Sequence, residues 1–227
     1  MIHEPICWVP NLSRRRLISA TVAAGGLLLL PGRSNADTIR ELRGEVSING
    51  RKASKKSRVV PGDTVITGAG AQAAFILGRD VFLVKENSRL ETFGKLGDAV
   101  ASTLRLVTGG MIAVFGKGPA RQVTTAFVTL GIRGTGIYVE AHPNRSYCCT
   151  CYGTVSLRVP DSEESKLTVA SHHVGHWVGQ SPENGTHFSE AIMHGHSDEE
   201  LIALEKLAGR VPPFVTPNEA VKDNGKG

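Results

Sequence analysis

Long apolar runs are missing from this sequence of 227 residues. The apolar stretch at residues 17–30 is shorter than the about 20 residues that a membrane-spanning helix needs, so we expect no membrane span in the mature chain. Aromatic residues are sparse as well, whereas glycine is abundant with 26 residues. This composition suits many short strands that are joined by turns.

A strong excess of one charge is also missing. The formal net charge is +5, but residues 1–36 alone contain four arginines and one acidic residue. Subtracting these from the 26 basic and 21 acidic residues of the chain leaves 22 and 20, a charge of +2. Because nucleic-acid binding requires a strongly basic face, we expect no nucleic-acid partner.

The first 36 residues have the order of an export signal. The segment Ser13-Arg14-Arg15-Arg16-Leu17-Ile18 resembles the twin-arginine consensus and leads into the apolar stretch at 17–30. Ser34-Asn35-Ala36 then offers small residues for cleavage. We therefore predict a twin-arginine signal peptide at 1–36, with an N-terminal anchor helix as the alternative. The mature chain would begin near Asp37 in the periplasm, and this route exports folded proteins, often with a metal already loaded.

Short apolar alternations separated by turn residues follow from Ile39 onward. Asn49-Gly50 is a strong signal for a two-residue hairpin loop. Helical periodicity is absent before the C-terminal region. A glycine followed by alternating apolar residues recurs at Gly44, Gly110 and Gly153. These patterns predict an all-β fold, either a sandwich or a solenoid-like stack of short antiparallel hairpins, with one C-terminal α-helix.

Four glycine-containing motifs resemble those of the FecR domain family. They are Gly44-Glu45-Val46, the Pro-Gly-Asp-Thr-Val-Ile-Thr-Gly segment at 61–68, Leu-Val-Thr-Gly-Gly at 106–110, and Thr-Leu-Gly-Ile-Arg-Gly-Thr-Gly at 129–136. The resemblance covers roughly residues 40–160 and implies an all-β periplasmic module. The namesake of the family spans the inner membrane and relays the status of an iron-siderophore transporter to a sigma factor. This sequence shows neither its anti-sigma segment nor its transmembrane helix, so the resemblance carries over only the module.

The cysteines cluster in Tyr147-Cys148-Cys149-Thr150-Cys151-Tyr152, which reads as a strand running into a turn. Alternate side chains of a strand share a face, so Cys149 and Cys151 should point the same way and Cys148 the opposite way. Two thiolates at this spacing could bind one metal ion.

Three histidines follow about twenty residues later, namely His172, His173 and His176. If the chain between Leu167 and Val178 returns beside the cysteine strand, these imidazoles complete a ligand set with Cys149 and Cys151. Thiolate and imidazole ligands suit Zn, and Cu or Fe would also accept them. We therefore predict a transition-metal site at these five residues.

Besides a metal site, a disulfide stays open as an interpretation of the cysteine cluster, whereas a thiol-dependent enzyme and covalent haem attachment are disfavoured. A disulfide could join Cys148 to Cys151 or Cys149 to Cys151 in an oxidising periplasm. Because Cys7 would leave with the signal peptide, three cysteines remain, and at least one of them would stay unpaired within the chain. A thiol-dependent enzyme is disfavoured because no third orienting group is evident. Covalent haem attachment requires C-x-x-C-H, whereas Tyr152 follows Cys151.

The C-terminal region contains the signal for one helix. Ser197-Asp198-Glu199-Glu200 is a capping box, and Gly209 marks the helix end. An apolar stripe of Leu201, Leu204, Leu207 and Ala208 should dock on the β domain, with partner binding as the alternative. The three nearby histidines could extend the metal site but need no such role: His187, His194 and His196.

Taken together, these patterns divide the chain into five segments. They are a signal peptide (1–36), a FecR-like β domain (37–160), a His-rich return segment packing on that domain (161–196), a C-terminal helix and clasp (197–214) and a flexible tail (215–227). We expect an exported, non-catalytic binding or sensing module of the periplasm with an envelope protein as partner. The alternatives are a structural or partner-docking domain with a disulfide and a thiol-dependent redox enzyme.

Overall fold

The computed structural model describes residues 39–94 and 101–215. The predicted signal peptide at 1–36 and residues 216–227 of the predicted tail lie outside the described residues. The described chain forms fifteen strands and one helix: β1 (Ile39–Arg43), β2 (Val46–Ile48), β3 (Arg51–Lys52), β4 (Thr64–Thr67), β5 (Gln72–Leu77), β6 (Asp80–Val84), β7 (Arg89–Phe93), β8 (Thr103–Val114), β9 (Arg121–Thr124), β10 (Thr129–Ile132), β11 (Gly136–Ala141), β12 (Arg145–Arg158), β13 (Ser165–Ala170), β14 (Val174–Glu183), β15 (Thr186–Ala191) and α1 (Asp198–Leu207). The prediction of an all-β fold with one C-terminal helix is confirmed.

The strands form two sheets that face each other across one core. Sheet A has the order β1-β5-β6-β8-β11-β12-β14-β15, and all its pairs are antiparallel. Sheet B has the order β3-β2-β4-β7-β8-β9-β10-β12-β13, in which only β8 and β9 are parallel. Of the two arrangements that the sequence left open, the described chain therefore adopts the sandwich.

Two long strands, β8 and β12, belong to both sheets. The first half of β8 pairs in sheet B with β7 and β9, and its second half pairs in sheet A with β6 and β11. β12 runs the other way: residues 145–150 pair with β14 in sheet A, and residues 153–158 pair with β13 in sheet B. The segment 161–196, which the sequence analysis set apart at residue 160, is therefore built into the sheets by hydrogen bonds to β12. The predicted boundary at 160 falls in the connection between β12 and β13.

Gly109 lies where β8 passes from one sheet to the other, and its backbone φ is +77°. A Cβ at this position would lie 2.6 Å from Cα of Ser88. We expect Gly109→Ala to lower the free energy of unfolding by about 2–3 kcal/mol, because it adds a steric clash to a strained backbone. Gly50→Ala is the control: φ is +74° there but no atom lies within 4 Å, so only the strain of about 1–2 kcal/mol applies. Urea unfolding of both variants measures the difference, and equal costs would contradict the clash.

A second apolar cluster covers the outer face of sheet A, where α1 packs. Leu201 and Leu204 are buried in it together with residues of β5, β6 and β8. The docking of the stripe on the β domain is thus confirmed for these two leucines, whereas Leu207 is 41% exposed and lies outside it. The capping box is present: the Ser197 hydroxyl accepts from the Glu200 amide, and the Glu200 carboxylate accepts from the Ser197 amide. Within residues 39–94 and 101–215, no helix has the length and apolar character needed to cross a bilayer.

Candidate metal centre

A β-bulge in β12 sets the positions of Cys149 and Cys151. Thr150 pairs with Ile137 of β11, but Gly136 pairs with Tyr152, so Cys151 is an extra residue in the ladder. Such a β-bulge re-aims side chains. Cys149, Cys151 and Tyr152 all face the outer cluster that α1 covers. Both thiols are therefore buried between sheet A and the C-terminal segment rather than in the core between the sheets.

His173 reaches these thiols from the turn between β13 and β14. Its backbone adopts a left-handed conformation with φ of +40°, and its amide donates to the Cys151 carbonyl. These two features hold the ring over β12, where Nδ1 lies 3.5 Å from Cys149 Sγ. Gly175, which pairs with Cys149 on β14, adds no side chain on this face. The return of the chain beside the cysteine strand, expected from the sequence, thus brings one of the three predicted histidines to the sulfurs.

His196 reaches the sulfurs from the loop before α1. It immediately precedes the N-cap Ser197, and its ring stacks on Tyr138 of β11 with centroids 4.5 Å apart. Its Nε2 lies 3.4 Å from Cys151 Sγ and 3.2 Å from His173 Nδ1. The sequence analysis named His196 only as a histidine that could extend the site. The structure makes it a full member of the cluster.

The four donor atoms of Cys149, Cys151, His173 and His196 lie within 4.8 Å of one another. We call these four residues the buried cluster. Tetrahedral zinc bonds of about 2.3 Å to sulfur and about 2.0–2.1 Å to nitrogen place a sulfur and a nitrogen about 3.6 Å apart, and two nitrogens about 3.3 Å apart. The sulfur–nitrogen distances of 3.5 and 3.4 Å and the nitrogen–nitrogen distance of 3.2 Å match this geometry.

The far nitrogens of both imidazoles are held by oxygen acceptors. His173 Nε2 donates to Asp198 Oδ1 at 2.8 Å, and His196 Nδ1 donates to the His194 carbonyl at 2.8 Å. Metal-bound histidines commonly have such partners, which fix the tautomer and the ring orientation. In the neutral rings, each remaining nitrogen then presents a lone pair toward the other across 3.2 Å. Two lone pairs this close repel, so a proton or a cation between them would stabilise the arrangement.

The charges of the buried cluster favour one thiolate and one imidazolium before any cation binds. A hydrogen bond from the Cys151 thiol, followed by those from His173 and His196, lowers the pKa of Cys149 against the opposing effect of burial. Burial raises the pKa of Cys151, and the neighbouring Cys149 raises it further. Burial would lower the pKa of His173, but its hydrogen bonds to Cys149 and Asp198 outweigh burial and raise it. A divalent ion would therefore displace protons that the cluster already holds in place.

Two of the five predicted ligands do not join the buried cluster. His176 pairs with Cys148 on β12, and residues directly opposite each other in a ladder share a face. Cys148 lies in the core between the sheets, so His176 points away from Cys149 and Cys151. Burial lowers the pKa of His176, whose Nδ1 has no hydrogen-bond partner. His172 is half-exposed and contacts Asp198 instead of the sulfurs.

The disulfide alternatives fit the structure less well. All three described cysteines are free thiols. Cys148 and Cys151 lie in different apolar clusters on opposite faces of β12, which rules out the pairing between them. Cys149 and Cys151 share a face, yet their two thiols are accounted for by contacts to His173 and His196.

The structure shows a third group beside the Cys–His pair that was not evident from the sequence. Asp198, the first residue of α1, accepts from His173, whose other nitrogen lies against Cys149. This series resembles a nucleophile, a base and its orienting carboxylate. Cys149 is buried, however, and the donor atoms of Cys151 and His196 lie within 4.8 Å of its sulfur. A closed set of four protein ligands is typical of structural metal sites rather than catalytic ones, which keep a position open.

Fold and cluster together define an all-β sandwich domain with a closed thiolate–imidazole site beneath a C-terminal helix. No protein-family model matches the chain, and no curated protein matches it either. Two crystal structures of a candidate anti-sigma factor from Parabacteroides distasonis are similar to it, each with a TM-score of 0.46 and with 10% and 11% sequence identity. Each match covers 56% of this chain and 58% of the other. The resemblance to the FecR domain family stays a prediction from the sequence motifs.

Proposed function

We propose that this protein is an exported, non-catalytic module that holds one transition-metal ion, Zn²⁺ in the first place, at Cys149, Cys151, His173 and His196. The observation that carries the proposal is the mutual distance of the four donor atoms, all within 4.8 Å. Two thiolates and two imidazoles in a tetrahedral, water-excluded arrangement suit Zn²⁺. Copper and iron accept the same ligand types, so metal selectivity is part of the test.

The ion would fasten separate parts of the chain to each other. Two ligands come from β12, one from the turn after β13, and one from the loop that leads into α1. Metal occupancy would thereby control how firmly the C-terminal helix covers the outer face of sheet A. Such coupling suits a binding or sensing module that reports its metal state to an envelope partner. Export by the twin-arginine route would allow the folded protein to be loaded before it meets the oxidising periplasm.

Elemental analysis of the full chain, purified from the periplasm without chelators, tests the metal and the location together. We expect one ion per chain in the wild type and in Cys148→Ala, because Cys148 lies on the other face of the same strand. Cys149→Ala and His196→Ala should lose the ion, with circular dichroism confirming that both remain folded. Metal-free wild-type protein that contains a Cys149–Cys151 disulfide would contradict the proposal.

Cobalt substitution provides an independent readout of the ligand set. Co²⁺ bound by two thiolates and two imidazoles gives intense tetrahedral d–d bands and a sulfur-to-cobalt charge-transfer band. We expect both bands in the wild type and in His176→Ala, since His176 lies on the opposite face of the sheet. Absence of the charge-transfer band in the wild type would exclude the cysteines as ligands.

A thiol-dependent enzyme is the second candidate, because the contacts join Cys149, His173 and Asp198 in series. Such an enzyme requires that its substrate can reach the sulfur of Cys149. Alkylation of the folded, metal-free protein with iodoacetamide measures this access at Cys149. We expect slow modification because the residue is buried, whereas rapid, selective modification together with thiol turnover would favour the enzyme.

A further inference from the structure

A second group of metal-ligating side chains lies directly outside the buried cluster. His172, His173 and Asp198 place one donor atom each within 4.8 Å of the others. We call these three residues the outer cluster. The side chains of His172 and Asp198 are 47% and 37% exposed, in contrast to the buried thiols. His173 belongs to both clusters, because Nδ1 faces the sulfurs and Nε2 faces Asp198.

We propose that the outer cluster is a second divalent-cation site, open to solvent, that shares His173 with the buried cluster. Two imidazole nitrogens and one carboxylate are a ligand set for Zn²⁺, Cu²⁺ or Ni²⁺ that leaves coordination positions for water. The inference goes beyond the buried site proposed above, and the experiment below separates the two.

The contacts of His172 indicate that Asp198 does more than orient His173. Orientation of His173 requires one carboxylate oxygen, and Oδ1 supplies it at 2.8 Å. His172 Nε2 nevertheless lies 2.9 and 3.0 Å from the two oxygens of the same carboxylate. The His172 ring also packs on Phe214, with centroids 4.6 Å apart, which restrains its orientation. Two imidazoles therefore converge on one carboxylate, although the orientation of His173 needs only one of them.

The proton balance of the outer site follows from the shared ring. When a metal occupies Nδ1 of His173, a second ion can bind Nε2 only if the proton now donated to Asp198 leaves for solvent. His173 then bridges two ions as an imidazolate. His172 keeps one ring proton by carrying it on Nδ1, so it needs no further deprotonation. Filling both sites thus requires His173 to give up both of its ring protons.

Equilibrium dialysis of the full chain against Zn²⁺ tests the outer site. We expect the wild type to bind two equivalents, the second more weakly than the first, and His172→Ala to bind only the first with unchanged affinity. Asp198→Asn should lose the second equivalent and also weaken the first by about 10–100-fold, because it removes the partner of His173. His187→Ala is the matched control: His187 also pairs with a carboxylate, Glu164, at 2.7 Å, but belongs to neither cluster.

The outcomes of the dialysis are distinguishable. A wild type that binds one equivalent, which Cys149→Ala loses and His172→Ala keeps, overturns the outer site and leaves the buried site intact, and so does a second equivalent that survives His172→Ala. Cys149→Ala should lose the first equivalent and keep the second. A wild type that binds only one weak equivalent, which Cys149→Ala keeps and His172→Ala loses, supports the outer site and overturns the buried one.

Discussion

If the buried cluster holds the proposed ion, its removal by a chelator should lower the free energy of unfolding of the wild-type protein by about 4 kcal/mol or more. An ion that binds only the folded chain contributes about 4 kcal/mol when its free concentration is a thousand times the dissociation constant. The four ligands come from positions up to 47 residues apart in the sequence, between Cys149 and His196. The unfolded chain therefore offers no preformed site, and nearly all the binding free energy should appear as stability.

Urea unfolding with and without Zn²⁺ measures this contribution within each variant. Cys148→Ala should lower the free energy of unfolding through lost packing, both with and without Zn²⁺. The difference between the two conditions should equal that of the wild type. Cys149→Ala should lose that difference. A wild type with the same unfolding midpoint in zinc and in chelator would show that the buried cluster holds no ion that matters for stability.

Hydrogen exchange would locate the effect within the fold. His196 precedes the N-cap of α1, and Asp198 opens its first turn, so the ion should protect the helix that carries Leu201 and Leu204. We expect amides of α1 to exchange faster after chelation, whereas those of β5 and β6 should change little because they lie within the paired core of sheet A.

The sequence was sufficient for the features that depend on local chemistry. Asn49 and Gly50 have φ of +51° and +74°, as a two-residue hairpin loop requires, and they connect β2 to β3. The capping box of Ser197 and Glu200 places the start of α1 correctly. These signals succeed because a turn or a cap is decided by residues within a few positions of each other.

The site could be predicted only in part because its remaining members depend on register. Strand alternation places Cys149 and Cys151 on one face, but the bulge at Cys151 follows from pairing with β11. His176 lies on the other face of the sheet because it pairs with Cys148 of β12, a register that the sequence does not show. His196 gave one usable signal: it stands directly before the cap of a helix whose apolar stripe was expected to dock on the β domain.

The sequence also could not show how the segments on either side of residue 160 are joined. The sequence signals mark where strands begin and end, but not that one strand serves two sheets. β12 runs for 14 residues and pairs with β14 in one half and β13 in the other. A long strand that changes sheets therefore joins segments that look separate along the chain.

The sequence did not predict the buried ion pair between Asp80 and Arg121. Its disruption should lower the free energy of unfolding. Asp80 Oδ2 accepts from Arg121 Nε at 2.8 Å, and Asp80 Oδ1 accepts from the Gly116 amide at 3.0 Å. The two side chains are only 1% and 6% exposed. Burial raises the pKa of Asp80 in spite of the neighbouring guanidinium, which indicates that the loss of hydration is incompletely recovered.

Arg121→Met should lower the free energy of unfolding by about 3–5 kcal/mol, because it leaves the buried Asp80 carboxylate without its ion-pair partner. Adding Asp80→Asn should restore part of this loss, since the amide removes the charge and its oxygen still accepts from Gly116. The exposed pair of Arg89 and Glu91 is the control: Arg89 is 45% exposed, and Arg89→Ala should cost about 1 kcal/mol or less. Urea unfolding of the three variants decides the matter, because a double variant less stable than Arg121→Met would mean that the charge of Asp80 is compensated by something other than Arg121.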